Sequence, residues 1–176
     1  NIRVYDSRSA GPAEGLVVLE AARAAAEGKS LDEIAAVADA AREKTGGLML
    51  FDTLRYVYRT GRMSKMASRI ASLFNIRPVS QITPEGKLEM VDKVRKRQDG
   101  LDMLIDIIEK QSGTKSLHFM ISHSAAPDVA EYFADMLKEK FECLSIIISD
   151  YSPVMGYSTG KGTIFVGFHP ELNLHG

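Results

Sequence analysis

The sequence has little of what small secreted, metal-bound or membrane proteins depend on. Cys143 is the one cysteine in 176 residues. No disulfide framework and no cysteine metal cluster can form within one chain. The four histidines, His118, His123, His169 and His175, include no HExxH pair, and no zinc site is expected. No apolar run approaches the length of a membrane span, and no signal peptide opens the chain. Net charge is close to absent, at -1 with 26% charged residues, which argues against a disordered tail or a generally basic nucleic-acid binder. A cytoplasmic location is the expectation. Hydrophobic residues, at 45%, suffice for a core in one domain or in two small lobes.

Strand-like and helix-like patterns alternate along the chain, which predicts an α/β architecture. Ile2 to Tyr5 alternates like a strand, and its abrupt start suggests a chain cut from something longer. Pro12 suits the first turn of a helix that stops at Gly28. That helix is rich in alanine and suited to close packing. Ser30-Leu31-Asp32-Glu33 reads as a capping box opening a second helix, which should end at Gly46-Gly47. A buried strand is expected over Leu48–Phe51, a short helix over Thr53–Arg59, and a further helix over Ser64–Phe74. Pro84-Glu85-Gly86 marks a hairpin turn between Pro78–Ile82 and Lys87–Val94. Leu101, Leu104, Ile105 and Ile108 place one apolar face on a helix over Gln98–Lys110. Pro127–Lys140 should be a helix with Val129, Tyr132, Phe133, Met136 and Leu137 facing inward. Strands are expected over Leu117–Ser122, Cys143–Ile148 and Thr163–Phe168. The expected boundary lies near Asn75–Arg77.

Several residues invite a chemical reading. Arg62 follows a glycine in a turn; its fixed fork of donors can grip a carboxylate or phosphate, or it is a solvated arginine at a helix entrance. Lys93 and Arg95 are one alternation apart and would share a strand face, able to meet a phosphate or an acidic partner. Their neighbours Lys96 and Arg97 read as solvated charges at a strand end. One short basic cluster gives little counterion release, so nucleic acid is excluded as a partner. Gly156–Gly162 is not a phosphate-binding Walker loop, because its spacing is one residue short and a strand follows. It reads as a glycine-rich loop whose N–H groups approach a ligand, or as a simple turn. Ser122-His123-Ser124 lacks the Gly-x-Ser-x-Gly elbow of a hydrolase, and His123 reads as a loop or helix-cap residue. Asp6 and Ser7 either orient a ligand or make a turn.

Four stretches, in order, resemble the DegV family across nearly the whole chain. They are Val4-Tyr5-Asp6-Ser7 with Gly15-Leu16; Asp52-Thr53-Leu54-Arg55-Tyr56 leading to Thr60-Gly61-Arg62-Met63-Ser64; Ile76-Arg77-Pro78 with Gly86 and Lys93-Val94-Arg95; and Gly156–Gly162. The resemblance implies a two-lobed DegV-like α/β fold with an incomplete N-terminal lobe. Residues 1–75 would be the remainder of that lobe and residues 76–176 the C-terminal α/β lobe. It implies a carrier of long-chain fatty acid and not an enzyme, in a bacterial cytoplasm, with no catalytic residue, cofactor or metal. A dihydroxyacetone-kinase-like protein or domain would phosphorylate the presented carboxylate. Arg62, Ser158, Thr159, Gly160 and Gly162 would then line the lipid site, and Lys93 and Arg95 would contact the partner or a phosphate. The sequence departs from the family at Gly11, Ala13 and Glu14, and it carries Ser158 and Lys161 where the family has histidine and proline. The family's Asp-Ser-Thr opening and Thr-Ser-x-Pro-Ser loop are not in these 176 residues. The loss of the histidine favours an alternative: a docking module of a kinase fusion with little lipid binding of its own.

Overall fold

A computed structural model describes residues 2–53, 55–59 and 76–172. The helices among them are α1 (Gly11–Ala26), α2 (Leu31–Lys44), α3 (Arg55–Arg59), α4 (Arg97–Ser112), α5 (Pro127–Lys140) and α6 (Pro153–Thr159). The strands are β1 (Gly46–Leu50), β2 (Arg77–Ile82), β3 (Leu88–Val94), β4 (Ser116–His123), β5 (Glu142–Asp150) and β6 (Ile164–Pro170). All six strands form one sheet in the order β3-β2-β1-β6-β4-β5. β4 and β5 are parallel and every other neighbouring pair is antiparallel. β1, from the first 75 residues, hydrogen-bonds to β2 and β6, so the segments on either side of the expected boundary share one sheet.

Local chemistry accounts for several element ends. Pro12 stands in the first turn of α1, where a missing N–H costs nothing. Ser30 Oγ accepts from the Glu33 N–H, and the Glu33 carboxylate accepts from the Ser30 N–H. Ser30→Ala removes this cap and is expected to lower stability by about 1 kcal/mol, read as a fall in the urea midpoint. α4 ends on Gly113, whose φ of 65° supplies the left-handed cap. α2 stops at Lys44, and Gly46-Gly47 open β1 instead of ending the helix.

One face of the sheet carries the main core. Leu48, Leu50, Val79, Phe119, Ile121 and Val166 meet Leu101, Leu104 and Ile108 of α4 and Phe133 and Leu137 of α5. Fully burying such a side chain contributes about 1.5–3 kcal/mol. α5 is rotated from its expected inner face: Ala130, Phe133, Ala134 and Leu137 are buried, while Tyr132 is 51% exposed. The two small alanines let the helix sit close to the sheet, and the bulkier tyrosine is turned out. The other face takes α1, close enough that a Cβ on Gly167 of β6 would lie 2.6 Å from the Ala13 nitrogen. The alanine-rich pattern of α1 thus serves close packing.

Residues 2–5 do not form the expected strand. Arg3 pairs with Asp32 and the Tyr5 hydroxyl donates to Asp39, so α2 takes the polar side of the alternation. Ile2 and Val4 face solvent, both over 90% exposed. A strand needs a ladder partner, and the described residues place none beside this segment. The expected helix over Ser64–Phe74 lies outside the described residues.

Candidate functional site

β1, β4 and β5 run in one direction, and their C-terminal ends lie along one edge of the sheet with the starts of β2 and β6. In open α/β sheets that edge is where ligands bind. Asp52 follows β1 there and gathers two arginines. Its Oδ1 accepts from Arg77 Nε at 2.8 Å and from Arg97 Nη2 at 2.7 Å. Burial pushes the Asp52 carboxyl up, but the hydrogen bonds from Arg97 and Arg77 outweigh it and hold the pKa below the usual aspartate value. A second donor of Arg77, Nη1, reaches the Arg95 carbonyl at 2.5 Å. Arg97, which the pattern reads as a solvated charge, instead opens α4 and points back at Asp52. Arg77 and Arg97 are 20 residues apart and reach one carboxylate only because the β2–β3 hairpin returns the chain to this edge.

A cavity of about 460 Å³ opens beside the cluster, lined by Asp52, Thr53, Tyr56, Arg97, Lys161 and the Ala125–Val129 turn. Ala125 has a φ of 46°, a left-handed conformation costly for a residue with a Cβ. Behind the rim, on the α1 side of the sheet, Met49, Phe51, Val57 and Phe165 form a separate apolar cluster with Ala10, Ile82 and Tyr151 packed against it. Two buried hydroxyls on this side, Ser80 Oγ and Tyr151 Oη, have no hydrogen-bond partner among the described residues. Ser80 lies opposite Met49 in the β1–β2 register, so both side chains share that face. Burial raises the Tyr151 pKa and keeps the phenol neutral.

Of the residues expected to meet a ligand, Arg62 lies outside the described residues. The expected glycine-rich loop over Gly156–Gly162 is corrected: its first part is helical, because α6 runs to Thr159. The Ser158 and Thr159 hydroxyls donate back to the Val154 and Met155 carbonyls within that helix. The Gly160 N–H donates to the Gly156 carbonyl and the Gly162 N–H to the Ser124 carbonyl. Both glycines have φ near +85°, and both allow close approach: a Cβ on Gly160 would strike the Tyr56 ring, and one on Gly162 would meet Arg97 and Asp52. A Pro-initiated helix of seven residues carries too little periodicity to show in the sequence. Lys93, in β3, and Arg95, just beyond it, are exposed.

Asp6 makes a turn, its Oδ1 accepting from the Arg8 N–H at 3.0 Å. His123 Nδ1 accepts from the N–H of Ala126, the N-cap of α5. His118 and His123 are five residues apart on β4, an odd offset that sends their rings to opposite faces. Among the described residues no three His, Cys, Asp or Glu side chains are placed to hold a metal ion, and no helix is long and apolar enough to cross a membrane.

The family model described as "Uncharacterised protein, DegV family" matches residues 1–171. A DegV domain-containing protein of Clostridium perfringens is 33% identical over 169 residues, covering 96% of this chain and 58% of the relative. A fatty acid binding DegV family protein from Streptococcus agalactiae superposes with a TM-score of 0.84 at 25% identity, over 97% of this chain and 60% of that one. The Streptococcus pneumoniae Fatty Acid Kinase (Fak) B3 protein loaded with linoleic acid gives a TM-score of 0.88 at 23% identity, over 97% and 60%. The chain therefore spans less than two thirds of the length of these relatives. With nearly its whole length matched by the family model and a mixed sheet shared with these solved structures, the chain belongs to the DegV family.

Proposed function

We propose that this chain forms one wall of a long-chain fatty-acid carrier that presents its acyl carboxylate to a kinase partner. The observation that carries the reading is a cationic rim in front of an apolar face. Arg77 and Arg97 stand at the sheet edge, and the Met49, Phe51, Val57 and Phe165 cluster lies behind it. An amphiphilic carboxylate needs both: donors that keep its head charged and an apolar surface that removes its tail from water. The Ser80 and Tyr151 hydroxyls, without a partner among the described residues, are further polar points on that face. Solved relatives named for fatty acid binding, and one named as part of a fatty acid kinase, support the ligand class and the partner class.

In this reading Arg62 joins the carboxylate end. Ser158, Thr159, Gly160 and Gly162 shape its rim, the glycines by letting Tyr56 and Asp52 pack close. Lys93 and Arg95 face the kinase-like partner. The carrier role is a binding role, with no step of chemistry assigned to this chain.

Native mass spectrometry and lipid extraction of the parent protein test the reading. A bound long-chain acid is expected, with affinity rising about fourfold per added methylene, the equivalent of about 0.8 kcal/mol each. A parent protein that purifies without acyl ligand and shows no dependence on chain length would overturn it.

A further inference from the structure

We propose that a cavity at the opposite end of the sheet is a second ligand site, for a small phosphomonoester with an apolar or aromatic body. The cavity measures about 530 Å³ and lies where β1 begins and β2 ends. It is roughly 20 Å from Asp52 along β1, by the rise of an extended strand. A volume of this order holds a small organic molecule. Val17 of α1, Ile82 of β2 and Phe168 of β6 supply its apolar lining. Arg8, Arg42 and Lys44 bring three cations, with Glu43 as the one carboxylate among the lining residues.

Arg8 carries the argument. Its φ of 47° is left-handed, a conformation few residues with a Cβ adopt because it costs free energy. Two contacts hold it here. Asp6 Oδ1 accepts the Arg8 N–H at 3.0 Å, and Gly86 packs so closely that a Cβ there would lie 3.2 Å from both Cα and O of Arg8. The β2–β3 turn and the Asp6 carboxylate thus fix the Arg8 backbone at the cavity mouth. Yet its exposed guanidinium makes no hydrogen bond or ion pair among the described residues; the groups that feel its charge are the Tyr5 phenol and the exposed Glu85 carboxylate. Lys44 is likewise without such a partner. Arg42 differs: Asp39 holds it at 2.8 Å and its guanidinium lies over the Tyr5 ring. An arginine whose backbone is fixed at the mouth, with its head unused and a second cation, Lys44, in the same lining, suits a dianion. A planar fork and a point ammonium can share three phosphate oxygens better than the two of a carboxylate.

Titration calorimetry on the parent protein, with phenyl phosphate, benzoate and benzyl alcohol in parallel, tests this. Phenyl phosphate is expected to bind, benzoate about tenfold more weakly, and benzyl alcohol not measurably. Arg8→Gly suits the left-handed backbone and removes the guanidinium. It is expected to weaken phenyl phosphate about tenfold or more without lowering the melting temperature. Lys44→Ala, at an exposed position, should weaken binding in the same direction. Absence of phenyl phosphate binding, or unchanged affinity in both variants, would overturn the site. Benzoate binding as tightly as phenyl phosphate would overturn the phosphomonoester class.

Discussion

Gly167→Ala is expected to lower the stability of this chain by about 3 kcal/mol or more, the cost of overpacking against a backbone that cannot yield. The added Cβ would sit 2.6 Å from the Ala13 nitrogen, 2.7 Å from Ala13 Cα and 2.7 Å from the Pro12 carbonyl carbon. These are main-chain atoms in the first turn of α1, so no rotamer change relieves the clash. At Gly15 and Gly100 the corresponding near atoms belong to the flexible ends of Met120 and Leu50. The methyl would lift α1 from the sheet and expose Leu16 and Val17, both 2% exposed as the chain stands. Thermal unfolding followed by circular dichroism should show a midpoint roughly 6–12 °C lower for a domain of this size. Gly113→Ala is the contrast: nothing lies within 4 Å of its Cβ, and the cost there comes from the positive φ alone. A Gly167→Ala midpoint within about 2 °C of the parent chain would mean that α1 does not pack as described.

Asp52→Ala is expected to lower stability by about 2 kcal/mol. It removes the shared acceptor of Arg77 and Arg97 and leaves two guanidinium groups facing each other. Hydrogen bonds between charged groups contribute about 1.5–3 kcal/mol each when shielded. Here the three side chains are 27–32% exposed, so solvent screens part of that. The effect must depend on pH with a definite sign. The native Asp52 pKa lies below its unfolded value, so folding favours the carboxylate. The contribution is full above the unfolded pKa of about 3.9 and is lost as pH falls through the lower native pKa. Urea midpoints for the parent chain and Asp52→Ala should therefore differ at neutral pH and converge in strong acid. A gap that stayed constant down to acid would show that the ion pairs do not stabilise the fold.

Legibility followed the range of the interaction. α5 runs from Pro127 to Lys140, and the capping box opens α2 at Leu31, both as the sequence predicts. These features are written within a few residues, in a proline at a helix start or a serine three positions before a glutamate. The hairpin around Gly86 was equally readable, because Thr83 and Gly86 close it locally. Failures came where the deciding partner is distant. Residues 2–5 alternate as a strand does, but alternation cannot supply a neighbouring strand. Tyr132 lies at helical spacing from Val129 and Met136, yet the sheet surface selects the narrower alanine face of α5.

The glycine-rich stretch before β6 shows the two contributions side by side. Sequence alone marked Gly160 and Gly162 as unusual and, through four ordered motifs, pointed to the DegV family. It determined the α/β class, the approximate sites of most elements and the lack of a cysteine framework, all of which rest on composition, short-range pattern and motif order. Only the tertiary structure decided what those glycines do. Their N–H groups are closed off by Gly156 and Ser124, and their missing side chains make room for Tyr56 and for the Asp52–Arg97 pair. The same is true of Asp52, Arg77 and Arg97, which share one carboxylate oxygen across 45 residues of chain. A contact at that separation depends on strand order and sheet register, and neither is written in the residues that make it.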